Sequence, residues 1–223
     1  ELSKNADEVI ARRILSLTGY QNDAYAQKYK ALVDAVSAAD EKLNGKPGKL
    51  TDAVARYYYK LMAYKDEYEV ARLYTDGQFL AQLKQTFDGK TRLRFNLAPP
   101  LLAKRDKDTG ELKKAEYGAW VLTAFRLLAK LKGLRGTALD IFGYSEERRT
   151  ERRLIGEYKA AIEKVLPVLN KDNYALAVEL ASVPEHIRGY GHVKLKHIEA
   201  AKKREAELLE KLDMPAEEKK QAA

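Results

Sequence analysis

Apolar residues return every third or fourth position along most of the chain, the signature of amphipathic helices. Ala6, Val9, Ile10, Ile14 and Leu17 predict a helix over about 5–18, with Gly19 as its stop. Tyr25, Tyr29, Leu32, Val33, Val36 and Leu43 predict a second over about 21–43, ended by the turn cluster Asn44–Gly48. Thr51 is placed to cap a third, whose face is Val54, Tyr57, Tyr58, Leu61, Tyr64 and Tyr68, continuing toward Tyr74. A short helix at about 77–86 carries Phe79, Leu80 and Leu83. Further on, Trp120–Leu131 returns to helix on Val121, Ala124, Phe125, Leu128 and Leu131, and 137–143 reads as irregular but apolar. Ser145 caps a long helix to about Leu166, with Glu146 and Glu147 in the first turn where the helix dipole favours them. Asn170 caps one over about 171–182, and a last helix, about 191–212, presents Ile198, Ala201, Leu208 and Leu212.

The helical period fails in one place, Arg92–Asp106. Pro99-Pro100 forbids a helix there, because each proline lacks an N–H and pushes its predecessor toward extended geometry. Arg92–Leu97 alternates basic and apolar residues, which suits a short strand with one buried face. Leu101–Lys104 and Leu112–Ala115 are placed to form a hairpin across the polar turn 106–110. The expected fold class is mainly α: an irregular multi-helix domain with a small β-hairpin or short strands near residues 92–116. Pro99-Pro100 is expected in a buried crossing that the helices pack around.

Charge sharpens this reading. The chain has 223 residues and a net charge of +8. Between Lys90 and Gly136 lie twelve Lys or Arg against four acids, so this segment carries the whole excess. Such a block fits phosphates, nucleic acid, an acidic protein, or only solvent. With no cysteine, the chain itself has no disulfide, thiolate zinc site, cysteine nucleophile or cysteine-held iron–sulfur cluster. No apolar run reaches the ~18–20 residues of a membrane span. The chain starts at Glu1 in an already helical pattern, and the expectation is a fragment of a longer, cytoplasmic protein.

Candidate chemistry is sparse. Glu185–Lys194 sets two glycines around a tyrosine between basic residues. An anion pocket there would use Arg188, Gly189, Gly191, His192 and Lys194, with helix N–H groups near Gly191–Val193 as donors; a packed Tyr190 in a tight turn competes. His192 and His197 are five apart, wrong for ligands on adjacent turns, and with His186 and Glu185 they close no ligand set, so no metal is expected. Asp66, Glu67 and Glu69 are three near carboxylates, read as an exposed polar face. Glu147–Arg153 reads as a solvated, charge-laced helix face with Arg148/Glu151 and Arg153/Glu157 spacing. Tyr57, Tyr58, Tyr59 and Tyr64 suit base stacking, or, at helical spacing, core packing. No catalytic residue is assigned.

Several longer blocks carry a family likeness. Leu61–Tyr74 resembles a motif from the C-terminal region of single-chain indolepyruvate ferredoxin oxidoreductases. Leu93–Leu102, Leu131–Thr137 with Phe142-Gly143-Tyr144, and Ile187–Lys194 match in the same order, and Leu17–Gln21 with Ala24-Tyr25-Ala26 and Tyr29 resembles the end of the family's gamma-type region. The resemblance implies a parent enzyme that oxidatively decarboxylates aryl pyruvates to acyl-CoA, using thiamine diphosphate and iron–sulfur clusters and passing electrons to ferredoxin. It implies that 1–44 ends the gamma-type catalytic region with connecting helices and that 45–214 is a C-terminal helical domain with a central extended insert; the polar composition from Pro215 predicts a flexible tail over 215–223. The resemblance brings no cofactor into this segment: the cluster cysteines are missing, and Thr75-Asp76-Gly77 lacks the first glycine of the thiamine-binding Gly-Asp-Gly signature. The implied partners are the parent's other domains, a second copy of the parent, and ferredoxin or a similar acidic carrier met through Arg92, Arg94, Lys104, Arg105, Lys113 and Lys114. Two rivals stand beside it: a basic helical nucleic-acid-binding module, and a coenzyme A phosphate site at 185–194.

Overall fold

The computed structural model describes residues 6–89, 92–97 and 113–213. Among them are nine α-helices and one two-stranded antiparallel sheet, so the chain is mainly α with a small β pair. It divides into two compact units: residues 1–64 with 149–223, and residues 65–148.

Unit 1 holds α1 (Ala6–Tyr20), α2 (Asp23–Asn44), α3 (Lys49–Met62), most of α7 (Glu146–Val165), α8 (Tyr174–Ser182) and α9 (Gly191–Asp213). Its core joins Leu17, Tyr29, Val33, Val54, Tyr58, Leu154, Tyr158, Leu180, Ile198 and Leu208. The apolar stripes predicted for α2 and α9 are the ones that pack: Tyr29, Leu32, Val33 and Val36 on α2, and all four positions on α9. The helices of 1–44 share this core with α3, α7, α8 and α9, and the packing puts the unit boundaries at 64/65 and 148/149.

Helix boundaries correct the sequence reading at several points. α1 runs through Gly19 to Tyr20, because the Tyr20 ring is buried and its hydroxyl donates to the Tyr64 carbonyl at 3.0 Å. Thr51 does not cap α3. That helix begins at Lys49, and Thr51 lies in its first turn. The cap comes from α2 instead: buried Asp40 accepts from the N–H groups of Gly48 (2.8 Å) and Thr51 (3.1 Å) and from the Thr51 hydroxyl (2.9 Å). At the other end of α3, the Tyr25 hydroxyl donates to the Met62 carbonyl at 3.0 Å, a group the helix itself leaves without a partner. α3 therefore stops at Met62 and does not reach Tyr74. Asn170 accepts from the N–H groups of Asp172 and Asn173 and opens a turn, so α8 starts only at Tyr174.

Tyrosines dominate this core. Tyr29, Tyr58 and Tyr158 stack in series, with centroids 6.1 and 5.8 Å apart. Their hydroxyls need partners once buried: Tyr29 donates to the Ala55 carbonyl and Tyr158 to the Ala181 carbonyl. Each such bond ties one helix to another.

Unit 2 holds α4 (Glu67–Thr75), α5 (Gln78–Thr86), β1 (Phe95–Leu97), β2 (Ala115–Tyr117) and α6 (Val121–Lys130), with a 3-10 turn at Leu131–Leu134 and the first residues of α7. β1 and β2 pair antiparallel, Phe95 opposite Tyr117 and Leu97 opposite Ala115. The alternation expected for Arg92–Leu97 is present: Phe95 is buried, Leu93 and Leu97 are half-buried, and Arg92 and Arg94 are exposed. The hairpin arm Leu101–Lys104, the crossing at Pro99-Pro100 and the tail 215–223 lie outside the described residues. The apolar core is small: Phe95, Val121 and Leu122, with Tyr74, Phe79, Leu80 and Phe125 packed around them. α4 lies against α6. Ala124 and Leu131, expected on the packed face of α6, are exposed. Among the described residues, no helix is long and apolar enough to cross a membrane.

Candidate functional site

The sequence pointed to residues 185–194, and unit 1 surrounds that stretch with charge. A 3-10 turn, Val183–His186, delivers Glu185 beneath α3. Tyr57 of α3 donates to Glu185 Oε2 at 2.6 Å, and Lys60, one turn on, donates to the carbonyls of Pro184 (2.7 Å) and Glu185 (3.0 Å). Arg188 reaches back to the Glu185 carbonyl at 3.1 Å and to its carboxylate at 3.5 Å. Gly189 and Gly191 both take positive φ, +87° and +54°. At Gly189 a side chain would also meet Val193 at 3.0 Å, so this tight entry to α9 requires glycine. Lys194 then turns to buried Glu151 of α7.

Of the predicted pocket residues, Arg188 and Lys194 thus lie near Lys60, which the sequence reading missed. Gly189, Gly191 and His192 are exposed at the turn. Tyr190 is also exposed, not packed into the turn. His197 Nδ1 pairs with the Arg188 carbonyl at 2.7 Å. Among the described residues, no group of three or more His, Asp or Glu side chains is placed to hold a metal ion.

The electrostatics follow from these contacts. Burial pulls Lys60 below the usual lysine range, and Arg188 and Lys194 add to this while Glu185 opposes it. The Tyr57 hydroxyl bond holds Glu185 below the carboxylate range, with Arg188, His186 and Lys60 acting the same way. Tyr57 moves up, through burial and the Glu185 carboxylate. Tyr57 and Glu185 therefore move apart and away from neutrality, the opposite of what a general acid–base pair needs at pH 7. Each cation here has a protein acceptor, so an incoming anion would compete with Glu185, Glu151 or a backbone carbonyl.

Unit 2 contains a second cluster that the sequence reading misjudged. Asp66 and Glu69 are buried, against the expectation of an exposed polar face. Asp66 accepts from the Glu69 N–H and so caps α4. It also grips Arg135 in a two-pronged pair, Nε–Oδ2 at 2.5 Å and Nη2–Oδ1 at 2.8 Å. The Arg135 guanidinium lies over the Tyr68 ring, 5.5 Å from its centre. The Tyr68 hydroxyl donates to Asp140 at 3.2 Å, and Asp140 also receives the N–H groups of Gly136 and Gly143. Burial, then the Asp140 carboxylate, pushes Tyr68 up to about 12. Beside this, Glu69 takes Arg72 in a second two-pronged pair. Lys132 is pulled down by burial and by Arg72 and Arg135. Every bond in this network joins groups that already satisfy one another, which suits holding a loop in place.

The helix face at Glu147–Arg153 is mixed. Arg153 pairs with Glu157 at 3.4 Å in the open, as its spacing predicts, but Thr150 and Glu151 are buried, against the expectation of a solvated face. Tyr57, Tyr58 and Tyr64 are buried and Tyr59 packs on the core, so none is a platform for bases. Of the docking residues, Arg92, Arg94, Lys113 and Lys114 are exposed; Arg94 pairs with Glu116 across the sheet at 2.9 Å. Lys104 and Arg105 lie outside the described residues.

The family model described as "Family of unknown function (DUF6537)" matches residues 6–207. The chain belongs to that family. No curated protein and no solved structure is a significant match. The DUF6537 match spans both units, so the buried network of unit 2 and the tyrosine core of unit 1 are parts of one family region. Two of the residues that organise this DUF6537 chain carried a legible signal. Asp40 follows Val33 and Val36 on the apolar stripe of α2, and Glu151 precedes Leu154 and Tyr158 on that of α7. An ionisable group on a core stripe announces a buried partner. Arg135 and Lys60 carried no such mark.

Proposed function

We propose that this chain is the C-terminal helical domain of an indolepyruvate-type 2-oxoacid ferredoxin oxidoreductase, and that its work in that enzyme is assembly rather than chemistry. The observation that carries the reading is the set of sequence blocks that match in fixed order from Leu17 to Lys194. Their placement supports it. Leu61–Tyr74 supplies Asp66, Tyr68, Glu69 and Arg72; Leu131–Thr137 supplies Arg135 and Gly136; Phe142 packs edge-on to Tyr68 at 5.4 Å. Blocks about seventy residues apart thus meet in one buried network, as a scaffold requires. Thiamine diphosphate and the iron–sulfur clusters belong to the rest of the parent, since these residues include no cysteine and no Gly-Asp-Gly. In this reading unit 2 meets an acidic electron carrier in the cytoplasm, and the exposure of Arg92, Arg94, Lys113 and Lys114 supports it. The parent works as a homodimer in this reading. The nucleic-acid alternative keeps only the charge in its favour, because its stacking tyrosines are buried.

The test is the product of the whole coding frame. It should reduce ferredoxin with an aryl pyruvate and coenzyme A, while this chain alone, given thiamine diphosphate, should not turn over. Arg94→Glu with Lys113→Glu and Lys114→Glu should raise KM for ferredoxin and flatten its salt dependence. Turnover by the isolated chain, or a parent inert toward 2-oxo acids, would end the proposal.

A further inference from the structure

From Gly118 to Leu139 the chain has no acidic residue, but has Arg126, Lys130, Lys132 and Arg135. α6 lies in this stretch and is amphipathic in an unusual sense. Its inner side, Val121, Leu122 and Phe125, packs in the unit 2 core. Its outer side is also apolar: Trp120, Leu127 and Leu131 are 64%, 64% and 41% exposed. At about 100° per residue these three fall within ~20° of one line. Thr123, Arg126 and Lys130, all exposed, flank the line on one side. The Trp120 ring meets the Tyr117 ring edge-on at 6.0 Å with Gly118 beside it, and the rest of the indole is open to solvent.

We infer that the outer face of α6 is a docking site for an acidic protein surface with an apolar recess. The recess takes the Trp120 indole and the edge of Leu127 and Leu131, and its carboxylates meet Arg126 and Lys130. Three features select this occupant. An exposed tryptophan with cations beside it is the composition of an interface anchor. The absence of any acid over twenty-two residues makes the charge complement negative. The apolar line is narrow, roughly 16 Å long for eleven residues of rise, and the opposite side of the helix is committed to the core; a bilayer surface rewards a broad apolar face instead. This inference rests on the docking role proposed for unit 2, but moves its anchor from the strand cations to α6.

Trp120 is the chain's only tryptophan, so 5-fluorotryptophan labelling of the full chain gives one 19F resonance from the site. The probe is a purified ferredoxin, with calorimetry run in parallel. In the free chain the resonance should respond to exchange of H2O for D2O, as an exposed ring does. Ferredoxin should shift or broaden it and abolish that response. Leu127→Ser, and separately Arg126→Glu with Lys130→Glu, should each weaken binding by roughly tenfold or more, with the circular dichroism spectrum unchanged. A resonance untouched while calorimetry records binding would overturn the α6 anchor and leave the docking role standing. No binding at all would overturn both. A response to vesicles of anionic lipid but not to ferredoxin would assign the face to a membrane, and a resonance already shielded in the free chain would mean the face is covered within the molecule; either overturns the inference.

Discussion

Tyr29 and Arg135 are both buried and both hold elements together, one in each unit, yet they do it by different physics. Tyr29 brings a ring that fills the core and a neutral hydroxyl that needs one acceptor, which the Ala55 carbonyl supplies. Unit 1 repeats this solution with Tyr20, Tyr25 and Tyr158. Arg135 brings a full charge, and burying it demands an opposing charge in matched geometry. Unit 2 supplies Asp66, then must satisfy Asp66 with the α4 N-terminus and cover Arg135 with the Tyr68 face. The difference follows from the apolar material available. Among the described residues, unit 1 has five helices and most of a sixth around one large core, whereas the apolar cluster of unit 2 is Phe95, Val121 and Leu122 with a ring of half-buried side chains. A small core gives little stabilisation, and the geometry of the charged network fixes the loop 131–144 where apolar packing does not.

That contrast can be broken most directly at Arg135. Arg135→Met should leave Asp66 buried without its partner and destabilise unit 2 by about 3–5 kcal/mol. Amide protection in α4 should fall while that of α2 and α3 is kept. Pairing it with Asp66→Leu should recover much of the loss, since an apolar replacement of a buried ion pair is often neutral or better. If the double variant is as unstable as the single one, the cap that Asp66 gives to α4 matters more than the pair.

Unit 1 also buries charge: Glu151 is answered by Lys194, and Asp40 by neutral donors. Burial alone would raise the Asp40 pKa, but the bonds from Asn44, Thr51, Gly48 and Tyr174 hold it below the usual carboxylate range. Asp40→Ala should cost about 3 kcal/mol through the donors it orphans, read as lost protection at the start of α3. The sign of its pH effect is fixed. Stabilisation is present above the unfolded carboxylate value of about 4 and is lost as pH falls through the lower folded value. Asp40→Asn should therefore flatten the acid limb of unit 1's stability curve.

The alkaline limb should show the reverse sign in both units. Burial raises Tyr58 and Tyr68 to about 12, and Tyr158 goes well above the usual phenol value. Their contribution is complete below the unfolded value of about 10 and is lost as pH rises toward the folded values. A denaturant titration between pH 9 and 12 should show stability falling, and the part of the phenolate absorbance that Tyr58→Phe, Tyr68→Phe or Tyr158→Phe removes should appear only as structure is lost. If those substitutions instead removed phenolate absorbance from the intact fold, the burial of these rings would be contradicted.

Smaller effects sharpen the comparison. Tyr29→Phe keeps the ring and removes one bond, and should cost about 1 kcal/mol. Lys113→Glu, at an exposed position of unit 2, should change stability by less than about 0.5 kcal/mol, so a larger effect on the proposed binding of an acidic carrier would be an effect on binding alone.

Much of the helical layout was written locally. The stripes of α2 and α9, the Ser145 start of α7 and the alternation at Arg92–Leu97 can each be read from a window of a few residues, because a helix or strand repeats its own side-chain period. The capping of α3 could not be read that way: Thr51 has the right chemistry in the right window, but Asp40 arrives from eleven residues upstream and takes its N–H. The same holds for the candidate sites. Gly189 and Gly191 mark the tight entry to α9 in the sequence itself, but Lys60 joins Glu185 from 125 residues away.

By itself, then, the sequence determined that this chain is mostly amphipathic helix with a short extended stretch, basic between Lys90 and Gly136. Only the tertiary structure decided that Asp66, Glu69 and Arg135 are buried. Asp66 and Glu69 look like any solvated acids in a polar run, and their burial depends on Arg135, sixty-nine residues on, and on Arg72. Periodicity reports which way an apolar side chain faces because that preference is set by water. Whether an ion can leave water is set by its partner, and partners are chosen by the fold.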